Sequence, residues 1–168
     1  RGFVQKQVET IGNFWVDLVR STLYILLPLA LMLSVALVSQ GVVQTLRPSA
    51  KAALLQTAEG ADGKAISEQV IALGPAASQI AIKQLGTNGG GFFNANSSHP
   101  FENPTPVSNF MEMLAILLIA AALCFTFGCM VKDRRQGWAI LAAMLIVFIP
   151  CLLGCVQIEQ KGNPLLSR

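Results

Sequence analysis

The chain has 168 residues, of which 53% are hydrophobic and 12% charged, with a mean hydropathy of +0.56 and a formal net charge of +3. A charged fraction about half that of soluble domains excludes an ordinary water-soluble globule and points to a membrane protein. Because no Arg-rich patch with aromatic interleaving is present, the positive balance is not a nucleic-acid footprint, and no nucleic-acid partner is expected.

Residues 1–20 carry Arg1, Lys6 and Arg20 and read as a cytoplasmic flank. The chain opens Arg1-Gly2 without Met and without a cleavable signal pattern, so it is expected to be a fragment lacking its true start. The first charge-free run, 21–43, spans 23 residues from Ser21 to Val43. As a helix it measures about 34 Å, enough for a hydrocarbon core of about 30 Å. Pro28 should kink this helix without breaking it.

Residues 44–73 read as an extracellular cap. Ala52–Thr57 and Lys64–Ile71 flank Glu59-Gly60-Ala61-Asp62-Gly63, whose Asp-Gly step signals a small β-hairpin. In 74–94, Gly74-Pro75 opens a helical stretch from Ala76 to Leu85, and Gly86 stands where it should end. About 11 residues give roughly 16 Å, half a bilayer, so the expected element is a re-entrant half-helix. Gly86-Thr87-Asn88-Gly89-Gly90-Gly91 comes next. Four glycines in six positions free the backbone for close approach by another group. Rings of backbone carbonyls of this kind can replace the water shell of a cation, and the helix C-terminus adds the negative end of its dipole. Thr87, Asn88, Gly89, Gly90 and Gly91 are therefore the candidate cation-binding residues. Taken alone, the loop would read as an ordinary glycine-rich turn; its setting between membrane spans argues for the filter. Lys83, in the last turn, would repel a cation unless it turned toward a carboxylate or headgroups.

The exit loop, 95–109, holds His99-Pro100, Pro104 and Pro106, which keep it extended until Phe110 resumes the helix. His99, the single histidine, reads as structural, and Glu102 and Asn103 read as a solvated loop face rather than the mouth of a pore. A second span, 110–131, contains the 19 uncharged residues Met113–Val131; Glu112 near its start reads as an interfacial anchor or a functional carboxylate. Lys132, Arg134 and Arg135 place the link 132–136 on the cytoplasmic side. A third span, 137–158, and an extracellular tail, 159–168, complete the chain. Gly128, Gly137 and Gly154 offer close helix contacts, while Cys124, Cys129, Cys151 and Cys155 read as small buried thiols. Gly86 and Gly91 match Walker-loop spacing, but Phe92 and Phe93 stand where Lys and Ser/Thr are required, so nucleotide chemistry is excluded there.

The run Gly74-Pro75, Ala77-Ser78-Gln79, Ala81-Ile82-Lys83 and Leu85 through Ser97, followed by His99-Pro100-Phe101-Glu102-Asn103-Pro104-Thr105, resembles the potassium-binding subunit of the bacterial Kdp potassium-transporting ATPase. The resemblance extends to Asp133-Arg134-Arg135-Gln136-Gly137 and to Trp15-Val16-Asp17-Leu18, and is looser over 44–71 and the last span. It implies an all-α integral membrane protein of potassium-channel-like helix–pore loop–helix repeats, of which this chain holds one repeat and the first helix of the next. It further implies potassium as substrate, selected by a filter to which Thr87–Gly91 contribute a quarter. No bound organic cofactor is implied, and ATP would be hydrolysed by a P-type catalytic subunit rather than by this chain. A single-span accessory subunit, a small membrane peptide and membrane lipid would be the other partners, in the bacterial inner membrane with the filter loop outside. Two other classes fit the same residues: a secondary cation transporter with broken helices, and a non-transporting membrane assembly subunit.

Overall fold

The structure, a computed structural model, describes residues 12–59, 63 and 65–162. Expectations for Arg1, Lys6, the Gly60–Asp62 turn, Lys64 and the end of the tail fall outside those residues. Among the described residues, three helical stretches are long and apolar enough to cross a membrane: Phe14–Ser39, Pro106–Met130 and Arg134–Lys161. A two-stranded antiparallel sheet accompanies them, so the fold is mostly helical with a small sheet where the two hairpin strands were expected. The described residues divide into two compact units, one within 13–118 and the other formed by residue 12 with 119–162.

In the first unit, helix α1 (Phe14–Ser21) begins seven residues before the expected span because Asn13 caps it, its side-chain oxygen accepting from the Trp15 and Val16 amides. It passes through a π-helical turn (Thr22–Leu26) into α2 (Leu27–Ser39). Pro28 has no N–H to offer the preceding turn, and the widened turn accommodates that loss, with the Leu27 amide reaching Thr22 O. The sheet pairs β1 (Ser49–Glu59) with β2 (Ala65–Ala72), in register from Ser49 opposite Ala72 to Ala53 opposite Glu68. A bulge lies between Ala53 and Ala58, after which Ala58 faces Ile66.

Helix α3 (Ala76–Leu85) is the centre of this unit. Leu37 and Val42 pack with its Ala76, Ala77, Ile80 and Ala81, and Leu33, Val43, Phe93 and Met111 close the cluster. Alanines on α3 let its backbone lie close to α2. Its first amides are satisfied by the segment after α2: Ala77 N–H donates to Val43 O (2.9 Å) and Ser78 N–H to Gln44 Oε1 (3.0 Å).

Helix α4 (Pro106–Met130) starts four residues earlier than the expected Phe110. Thr105 and Ser108 form a reciprocal capping box, each amide donating to the other's hydroxyl at 3.0 Å, and Pro106 takes the first helical position. In the second unit the end of α4 turns into α5 (Arg134–Lys161), which Asp133 caps through the Arg135 amide. A Cβ on Gly137 would lie 2.5 Å from Cys124 O and 3.3 Å from Gly128 Cα, so these two glycines do bring the helix backbones together; Gly154 meets nothing. Of the four cysteines only Cys124 is buried, which corrects the expectation for Cys129, Cys151 and Cys155. Cys151 and Cys155 lie on α5, whose one buried residue among those described is Gly137.

Candidate functional site: a glycine loop on a buried half-helix

Helix α3 ends where Gly86 stands, but Gly86 is right-handed (φ −81°) and Thr87 takes the left-handed position (φ 52°). The hydrogen bonds are those of a Schellman turn: Thr87 N–H donates to Gln84 O (3.2 Å) and Asn88 N–H to Lys83 O (3.0 Å). A β-branched residue there is a backbone outlier, and such strain concentrates at functional segments. The last carbonyls of α3 are thus satisfied by loop amides, not by the Lys83 side chain.

Thr87, Asn88, Gly89, Gly90 and Gly91 form a continuous exposed stretch beyond that turn. Gly90 is left-handed (φ 90°), and its carbonyl accepts from the Asn96 amide at 2.9 Å. Gly91 lies directly beneath the Asn94 carbonyl, where a Cβ would collide. Gly89 is different: a Cβ there meets nothing within 4 Å. The Phe92 ring lies on Gly74, so the end of the loop closes onto the segment that opens α3. Phe93, His99 and Phe101 form an aromatic cluster with centroid separations of 5.0–5.6 Å, in which His99 Nδ1 accepts from the Phe101 amide, a structural role.

Beneath the loop is a polar network. Lys83 is 3% exposed and turns away from the glycines, donating to Ser97 Oγ (2.6 Å) and to Glu102 Oε2 (3.1 Å). Glu102 is fully buried, which overturns its reading as a solvated loop residue. Its other oxygen, Oε1, accepts from the Phe93 and Asn94 amides. Burial pushes the Glu102 carboxyl up, but the Phe93 amide, the Lys83 ammonium and the Asn94 amide outweigh it and hold the group below its ordinary 4.5. Gln84 donates to Ser97 Oγ (3.1 Å) and to Glu112 Oε2 (2.7 Å). Glu112 is also buried, with Oε1 unpartnered among the described residues, so it is no interfacial anchor in this unit.

One carboxylate therefore joins α3 to the segment immediately after the glycines. Gln44, Gln84 and Ser97 escaped the sequence reading because polar residues of these types carry no periodic signal. The one available clue was Lys83, a cation in a charge-poor stretch that demanded a counter-ion.

Three helices long and apolar enough to cross a membrane, beside a buried ten-residue helix with an exposed glycine loop at its C-terminus, define the class as a membrane protein. The chain belongs to the KdpA family, described as potassium-transporting ATPase A subunit, whose match covers residues 1–168. Among similar curated proteins, a potassium-transporting ATPase potassium-binding subunit of Herpetosiphon aurantiacus is 67% identical over 168 residues, 100% of this chain and 29% of the relative. One of the same description from Sorangium cellulosum is 68% identical over 167 residues, covering 99% of this chain and 29% of the relative. The corresponding protein of Methylococcus capsulatus is 58% identical, covering 98% and 31%. The chain thus spans about 29% of the length of these first two relatives.

Proposed function

We propose that this chain supplies part of the potassium-binding and translocating pathway of an ATP-driven potassium uptake complex. Backbone carbonyls from Thr87 to Gly91, together with equivalent loops elsewhere in the full-length protein, strip and select potassium from the external side, and the ion passes inward toward the pumping subunit. ATP is hydrolysed by a P-type partner, with a single-span subunit and a small membrane peptide completing the assembly in the bacterial inner membrane. The observation that carries this reading is the exposed glycine loop at the C-terminus of the buried α3, where the negative end of the helix dipole favours a cation. Lys83, in the last turn of α3, would oppose it but is paired with Glu102.

The test is potassium-stimulated ATP hydrolysis by the complete complex carrying Gly89→Asp, with Gly89→Ala as the control, across potassium, rubidium and sodium. A Cβ at Gly89 meets nothing within 4 Å among the described residues, so the alanine separates added bulk in the ring from added charge, and its effect should be smaller than that of the aspartate. The aspartate places a charge in a ring of neutral oxygens, and a weaker apparent potassium affinity with admission of other monovalent ions is expected. An unchanged ion profile for Gly89→Asp would return the assembly-subunit reading to the front.

A further inference from the structure

We infer that Lys83 and Glu102 are positioning residues for ion selection: the buried pair sets the geometry of the Thr87–Gly91 backbone although neither side chain faces it. This rests on the filter reading above and adds to it the part that holds the loop in shape. The incoming side of the loop is fastened to Lys83, whose carbonyl takes the Asn88 amide. The outgoing side is fastened to Glu102, whose Oε1 takes the amides of Phe93 and Asn94. The Lys83–Glu102 bond, 3.1 Å and buried at both ends, joins the two fastenings. Ser97 doubles the link, accepting from both Lys83 and Gln84, and the Asn96 amide beside it holds the Gly90 carbonyl.

A charge pair in this place is costly to desolvate and is weak evidence for stability, because a neutral pair of similar volume often replaces such an ion pair without loss. What a neutral pair cannot reproduce is the charge-assisted and directional bond that fixes the distance between the two ends of the loop. Glycines give the loop no stiffness of its own, so its carbonyl spacing must be imposed from outside. Ion selection depends on that spacing more than fold stability does.

The experiment uses the complete complex in membranes, with Glu102→Gln, Lys83→Met and the double variant Lys83→Met/Glu102→Gln, and Gly89→Asp alongside. Glu102→Gln keeps a carbonyl oxygen for the Phe93 and Asn94 amides but turns an NH2 toward the Lys83 ammonium, which is left buried with Ser97 Oγ as its acceptor. Lys83→Met strands a buried carboxylate, so both single variants should assemble poorly; the double variant removes both charges and should recover assembly. The expected result is that the double variant raises the potassium concentration for half-maximal ATP hydrolysis about tenfold and narrows the potassium-over-rubidium preference, while the maximal rate stays within about twofold. A purely structural pair would lower the amount of complex and leave the half-maximal concentration unmoved. Recovered assembly with wild-type ion dependence in the double variant overturns the inference, and so does failure of all three variants to assemble, which would make the pair a requirement of folding. If Gly89→Asp shifts the ion profile and the pair variants do not, the positioning role alone is lost; if Gly89→Asp has no effect, the filter reading itself fails.

Discussion

The same turn occurs twice in this molecule, once after α3 and once after α4, and it leads to opposite surroundings. At the end of α4, Asp133 N–H donates to Gly128 O and Lys132 N–H to Cys129 O, with Lys132 left-handed (φ 60°), just as Asn88, Thr87, Lys83 and Gln84 are arranged after α3. Neither turn uses glycine at the left-handed position where it is commonest. After α4 the chain re-enters a helix at once, its charges are exposed, and close contact comes from Gly128 and Gly137. After α3 it runs into an exposed glycine stretch underpinned by buried Lys83, Glu102, Gln84 and Glu112. A local motif thus fixes how a helix ends without fixing the segment beyond it; the buried partners decide whether that segment is a short link or a shaped loop.

The largest effect that would break this contrast concerns glycines in the two places. Gly91→Ala forces a Cβ into the Asn94 carbonyl, backbone against backbone, whereas Gly137→Ala meets a carbonyl at 2.5 Å but gains helix propensity. We expect Gly91→Ala to destabilise by about 3 kcal/mol or more and to abolish potassium-stimulated hydrolysis, and Gly137→Ala to cost about 1–2 kcal/mol with normal ion dependence. Thermal unfolding of the purified complex, paired with the activity assay, measures both. Equal effects would remove the distinction between a shaped loop and a packed link.

A smaller effect sharpens it. Relieving the left-handed strain by Thr87→Gly or by Lys132→Gly should stabilise each turn by up to about 1 kcal/mol, read as a modest rise in Tm. Only the change at Thr87 should alter the potassium-to-rubidium ratio. If Lys132→Gly altered that ratio as well, ion selection would not be local to the α3 loop.

The smallest effect is with pH. The Glu102 carboxyl is held below 4.5 in the folded chain, so its contribution is complete above that value and is lost as pH falls through its lowered folded value. Acid should therefore lower the Tm of the native complex more steeply than that of Glu102→Gln below about pH 4.5. Parallel slopes would show that the carboxyl is not protected by its amide and ammonium partners.

Three apolar stretches, the two hairpin strands and the break of α3 at Gly86 were legible in the sequence because each is a local property: hydropathy over a span, turn chemistry, or helix punctuation. Starts of helices were less so. Asn13 and the Thr105/Ser108 box extend α1 and α4 beyond their uncharged runs, because capping acts at single residues that a charge-based boundary ignores. The candidate loop Thr87–Gly91 stood out by composition, and its support did not.

By itself the sequence determined a membrane chain, its three long apolar helices, and a glycine loop following a ten-residue helix. Only the tertiary structure decided that Glu102, eight residues beyond Asn94, folds back beneath the loop to meet Lys83, and that Gln84 reaches Glu112 on α4. The reason is physical. Hydropathy and helix caps are set by neighbours along the chain, whereas the pairing of buried charges depends on which distant groups packing brings within about 3 Å, where desolvation makes a partner obligatory.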